Sequence, residues 1–264
     1  MAWRPIADKH AIERVRLTCV FSVELRPKLI ARLADLFEKQ RADLAFGPMQ
    51  EVKGQGFVLQ IGPDGPRPPT TQAVLGWSFQ RKAPNGSVLE AVTLENSNLV
   101  YETADYSRWS EFHERSTIIL SEIVNEMLTF DDMAGLVIEF FDRFIFDGQI
   151  ERADPRDILE IHDDLIPVSA LESGNLWHLH RGWFEDGSKG KLLINQNLDA
   201  QDGAFNGRSL RSVSVLTKIE ARGDFWKLAA DSLTTDLPEM HTRSKQVLLN
   251  VIKRDTADMI GMEE

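Results

Sequence analysis

Residues 14–25 read Arg-Val-Arg-Leu-Thr-Cys-Val-Phe-Ser-Val-Glu-Leu. Val15, Leu17, Cys19, Phe21, Val23 and Leu25 alternate with Arg14, Arg16, Thr18, Val20, Ser22 and Glu24. Successive side chains of a strand point to opposite faces, so this stretch predicts a long strand with one apolar and one wet face. Pro27 follows at a position that suits a first helical turn. Leu29, Ile30, Leu33, Leu36 and Phe37 then recur at helical spacing and predict an amphipathic helix over 27–41. Strand-like segments come next at 57–61, 73–82, 87–95 and 98–103, with Pro84-Asn85-Gly86 as the turn between the second and third. Ser107 suits the cap of a second helix, whose stripe of Trp109, Phe112, Ile119, Ile123 and Met127 carries it to Leu128.

The order of elements then recurs. Residues 134–146 form a β-prone run, Asp154-Pro155 opens a short helical segment, and strand-like segments follow at 175–184, 190–199, 210–220 and 225–231. Thr235 or Asp236 can cap a last helix with the stripe Leu237, Met240, Ser244, Val247, Leu248, Val251 and Ile252. The expected fold class is therefore α+β: two tandem strand–helix–four-strand–helix units, antiparallel sheets each covered by long helices. The halves would be 1–130 and 131–264, either separate or joined in one continuous domain.

The chain has 264 residues and a formal net charge of −11, which disfavours bulk attraction to nucleic acid or anionic membranes. A lone Cys19 permits no internal disulfide and no thiolate zinc site. No apolar run approaches the roughly 18 residues of a membrane span, and the opening Met1-Ala2-Trp3-Arg4-Pro5 lacks a secretory apolar stretch, so a cytoplasmic protein away from membranes is expected. The charge is uneven. Residues 131–172 hold twelve acids against Arg143, Arg152 and Arg156, a balance of −9 that leaves −1 on each flank.

Two resemblances bear on the chain. Its element order is similar to that of the TATA-box-binding protein and its relatives, at the level of fold alone. Trp3-Arg4-Pro5-Ile6, His10-Ala11-Ile12-Glu13-Arg14-Val15, Gly76-Trp77-Ser78-Phe79 and the run Thr93–Thr103, closed by Tyr106, Trp109 and Phe112, carry the second. Together they resemble a sporadically distributed bacterial family of about this length, defined by sequence. That resemblance implies one duplicated α+β unit in a bacterial cytoplasm and points to mobile or defence-related loci, but it transfers no catalytic residue.

Phosphate-loop, dinucleotide, nucleophile-elbow and His-Glu-x-x-His patterns are all missing from the sequence. His178 and His180 share one strand face as two metal ligands would, with His162 as a third candidate; the plain alternative is an exposed histidine pair. Arg14, Arg16, Arg208, Arg211, Lys218 and Arg222 could form a positive sheet face for phosphates, or simply keep strands soluble. Asp157, Glu160, Asp163 and Asp164 mark the acidic centre, which reads as a solvated face or as a dock for a basic partner. The favoured function is a non-catalytic interaction module that binds a macromolecular partner, a protein before nucleic acid, through the acidic segment or an open sheet face. The alternative is a metal-assisted phosphoester hydrolase or a nucleic-acid-binding protein. No cofactor is expected.

Overall fold

The strand read from residues 14–25 runs from Ile12 to Phe21 and lies in the middle of one large antiparallel sheet. In chain order the first half contains β1 (Ala2–Pro5), β2 (Ile12–Phe21), α1 (Pro27–Gln40), β3 (Gln50–Gly54), β4 (Gln60–Gly62), β5 (Gly65–Arg67), β6 (Ala73–Lys82), β7 (Val88–Glu95), β8 (Asn98–Thr103) and α2 (Trp109–Met127). The second half contains β9 (Met133–Asp147), β10 (Trp177–Gly187), β11 (Gly190–Phe205), β12 (Arg208–Trp226), α3 (Ser232–Thr235), α4 (Leu237–Leu249) and α5 (Arg254–Met259). The structure, a computed structural model, describes all residues except 1, 8, 24, 55–59, 63–64, 68–72, 163–164, 169–175, 206–207 and 263–264. At 54, 60–62, 65–67, 73–74, 204–205 and 208–209 it describes the backbone alone.

Nine strands pair side by side in the order β10-β11-β12-β9-β2-β8-β7-β6-β3, and β1 joins as a tenth by pairing with β9 beyond the first residue of β2. β4 and β5 form a separate hairpin. The central joint is β2 against β9, with Leu17 opposite Ile138 and Cys19 opposite Leu136.

This arrangement corrects the expected fold class. There is one continuous ten-stranded sheet rather than two strand–helix units with sheets of their own. Among the described residues just after β9 the chain makes two single 3-10 turns, Ile150–Arg152 and Pro155–Asp157, where a short helical segment matching α1 in the element order was expected. The physical reason is local. Asp154 accepts from the Arg156 backbone N–H and caps a turn whose Pro155 and Ile158 are buried, and the backbone then leaves the turn to pair Leu159 with Ile252 in an antiparallel bridge, which takes the hydrogen bonds a continuing helix would need. The segments expected at 210–220 and 225–231 are not two strands either, since β12 runs unbroken through Trp226. Long helices do not cover both halves: among the described residues the helices of the second half are the 13-residue α4 and two of four and six residues.

The helices pack on the face that presents Val15, Leu17 and Cys19, each fully buried. Three indoles peg elements to that layer by pairing their N–H groups, as buried tryptophans require. Trp77 donates to the Ile30 carbonyl of α1 at 3.0 Å, Trp226 to Asp236 Oδ2 at 3.1 Å, and Trp3 to the Asp154 carbonyl at 3.0 Å. Two apolar clusters result. One lies under α1 and α2; the other gathers Phe144, Phe146, Val213 and Val215 against the chain's C-terminal elements.

Candidate functional site

The opposite face of the sheet carries no helix among the described residues, and its side chains line up in rows. Gly182, Asn195, Lys218, Glu139, Arg16, Glu102, Ala91 and Gln80 stand opposite one another across eight strands. The charged members alternate in sign. Arg16 pairs with Glu102 at 2.7 Å and Glu139 at 3.8 Å, and Lys218 pairs with Glu220 at 3.0 Å. Beside them Arg14 reaches Glu102 at 3.4 Å and lies 4.0 Å over the Phe141 ring. A shallow concavity of about 490 Å³ sits on this face, floored by Thr18, Ala91, Thr93, Val100 and Val137. The face is thus a mosaic of matched charges around a small apolar floor.

The basic residues singled out from sequence do not form one patch. Arg14, Arg16, Lys218 and Arg222 share the open face, but each has a carboxylate neighbour, Arg222 lying 3.6 Å from Glu220. Arg211 is on the helix-covered side and 6% exposed, clamped by Asp202 at 2.8 and 3.0 Å and by the Ile150 and Ala153 carbonyls. The Arg208 side chain lies outside the described residues.

His178 and His180 do share the open face of β10. His178 Nδ1 meets Asp199 Oδ1 at 2.5 Å, and His180 Nδ1 meets Asn197 Oδ1. His162 is exposed in the segment before β10 and makes an interaction of its own. Among the described residues no three His, Cys, Asp or Glu side chains are grouped so as to hold a metal ion.

The acidic centre disperses. Asp157 and Glu160 are exposed, while Asp163 and Asp164 lie outside the described residues. Glu139 is on the sheet against Arg16, Asp154 is tied to Arg156 at 2.6 Å, and Asp142 is buried in the core.

Two acids are buried core residues that the sequence reading did not place there, Asp142 counting in the acidic central segment. Glu90, 4% exposed, is in phase with the core positions Val92 and Leu94 of β7. Burial pushes against its charge, but hydrogen bonds from Arg115, Tyr101 and Arg81 outweigh burial and hold its carboxyl below the usual range. Arg81 also binds Asp105 at 2.7 Å, and this ionic cluster walls a cavity of about 310 Å³ beside Tyr106 and the first turns of α2. Asp142 is in phase with Ile138, Phe140 and Phe144, and its Oδ1 has no hydrogen-bond partner among the described residues. Complete burial pushes its carboxyl up to about 7. An acid falling on the apolar parity of a strand was the signal in both cases.

His241 of α4 stacks 4.0 Å from Trp109, whose ring also stacks on His113. Burial, reinforced by Lys245 and His113, pulls its imidazole down to about 4. No helix among the described residues is long and apolar enough to cross a membrane. Compared with known proteins, the chain matches no family model and no curated protein.

Proposed function

We propose that the protein is a non-catalytic interaction module that binds a protein partner on the open face of its sheet. The observation that carries this reading is the cross-strand row Lys218–Glu139–Arg16–Glu102 beside the apolar floor of Thr18, Val100 and Val137. A protein surface supplies both signs of charge together with apolar groups, and alternating charge selects partner and register. A nucleic acid presents phosphates alone and needs cations free to meet them. Here Arg14, Arg16, Lys218 and Arg222 already face carboxylates. The acidic central segment supports the reading less, because its acids point in several directions.

Affinity capture from the native host with three baits tests this. A stoichiometric partner should be held by the natural chain and by Asp157→Lys/Glu160→Lys, and lost from Ala91→Arg/Val100→Arg. Undiminished capture by the sheet-face variant overturns the reading, and selective loss with the Asp157/Glu160 variant moves the contact to the central segment.

A further inference from the structure

The two ends of the sheet are finished very differently. β3 is five residues long, has a register irregularity between Val52 and Lys53, and exposes Glu51 and Lys53. Those are the devices that stop an edge strand from recruiting another chain. β10 has none of the shortness or irregularity: its eleven residues pair with β11 from end to end without a break, and among the described residues nothing pairs with its outer edge. Its surroundings expose Leu176, Phe184 and Phe225, with the two phenylalanine rings packed edge to face at 5.6 Å.

The strand is also self-complementary. It reads Trp-His-Leu-His-Arg-Gly-Trp-Phe-Glu-Asp-Gly from Trp177 to Gly187, with Gly182 at its midpoint. The basic side chains, His178, His180 and Arg181, all precede that glycine; the acidic ones, Glu185 and Asp186, follow it. We propose that β10 pairs antiparallel with the β10 of a second copy of this chain, about a two-fold axis through Gly182. An isologous two-fold contact sets residue against residue symmetrically about its axis. Here that places His178 opposite the partner's Asp186, Leu179 opposite the partner's Glu185, His180 opposite the partner's Phe184, and Arg181 opposite the partner's Trp183.

Two of these pairs, His178 with Asp186 and Arg181 with Trp183, match properties on the page. Asp186 is 86% exposed and bound on its inner side only by Lys191, so its outer side is open to the partner's His178. Arg181 lies 4.9 Å from the Trp183 ring of its own chain, and the axis offers it a second indole. At the axis two glycines meet with no side chains to clash. Directly opposed residues share a sheet face, so both helix layers fall on one side and both open faces on the other. The pairing gives the unpaired edge groups their hydrogen bonds and is independent of the partner proposed for the open face.

Sedimentation velocity and selective cross-linking test the proposal. The natural chain should sediment as a dimer at micromolar concentration. Gly182→Cys should form an intermolecular disulfide under mild oxidation, since opposed residues of an antiparallel pair have Cα atoms within bonding range. The new Cβ would lie 2.6 Å from the Asn195 side-chain oxygen, whose amide can turn aside, and 3.3 Å from the Ile194 carbonyl, which must give by a few tenths of an ångström. Cys19 is fully buried and does not compete. Phe184→Cys, exposed on the same strand, should not link, because the axis sets it against the partner's His180 rather than against itself. Asp186→Lys should weaken the dimer about tenfold, two symmetric contacts being lost at once. A natural chain that remains monomeric overturns the proposal, as does a Gly182→Cys variant that links no faster than Phe184→Cys. An Asp186→Lys dimer of undiminished affinity overturns the stated register.

Discussion

The Tyr101 hydroxyl of β8 donates to Glu90 Oε1 of β7 at 2.5 Å, with both side chains buried and two guanidiniums closing on the same carboxylate. The cluster ties β7 to β6 through Arg81 and to α2 through Arg115, which also donates to the Leu44 carbonyl at 2.6 Å. Removing Glu90 leaves the Arg115 guanidinium without a carboxylate and the buried Tyr101 hydroxyl without an acceptor, while Arg81 keeps Asp105. Glu90→Ala should therefore cost about 3 kcal/mol in denaturant unfolding. A loss within the noise of the method would show that the arginines find water instead.

Asp142 makes stability depend on pH. Burial pushes its folded-state carboxyl up to about 7, well above the ordinary 3.8 of an aspartate, so the native chain keeps a proton that the unfolded chain has released. Stability from this group is therefore full in acid, falls as pH rises from about 4 to 7, and is flat above, with a slope of up to about 1.4 kcal/mol per pH unit. Asp142→Asn removes the titrating proton and keeps the shape. The variant should gain on the natural chain between pH 5 and pH 8, as read by urea midpoints; parallel curves would refute the assignment.

His241 acts in the opposite sense. Its imidazole is pulled to about 4, below the 6.5 of a free side chain, so the native chain resists a proton that the unfolded chain accepts. Stability from this group is full above about 6.5 and is lost as pH falls towards 4. His241→Phe keeps the ring against Trp109 and should flatten the acid limb of a thermal-melting series.

Two glycines make a matched pair. A Cβ on Gly76 would sit 1.8 Å from the Leu94 carbonyl oxygen, a backbone atom of the neighbouring strand, whereas a Cβ on Gly203 meets nothing within 4 Å. Gly76→Ala should shift the β6–β7 pairing and lower the melting temperature sharply. Gly203→Ala should stay within about 0.5 kcal/mol of the natural chain. Comparable melting temperatures for the two variants would remove the steric argument.

The Cys19 thiol is pushed up to about 12 by burial under the helices. It should be inert to alkylation in the native state and react only as the chain unfolds, giving a label for global opening. Rapid native alkylation would mean that β2 opens locally.

Period two made much of the first half legible. Alternation found β2, and 73–82 and 98–103 coincide with β6 and β8; in the second half the β-prone run 134–146 is β9. Helical spacing found α1 and α2. The joining of strands into one sheet was not legible, because pairing of Leu17 with Ile138 depends on an edge far along the chain and leaves no local mark. The short helical segment expected at Asp154-Pro155 is a single 3-10 turn, because an Asp-Pro pair opens a helix and such a turn equally well. The open face was legible as a parity of polar residues, including Arg14, Arg16 and Lys218, but their carboxylate neighbours Glu102, Glu139 and Glu220 appear only once register is known.

The joint between β2 and β9 also governs synthesis. A ribosome delivers Ile12–Phe21 early and must add two helices and several strands before Met133–Asp147 emerges. During that interval a strand with a fully apolar face, Val15, Leu17 and Cys19, has a raw flank, open to whatever polypeptide is near. Closure waits on translation, so a pause or truncation before β9 would leave a product that sticks rather than a smaller working protein.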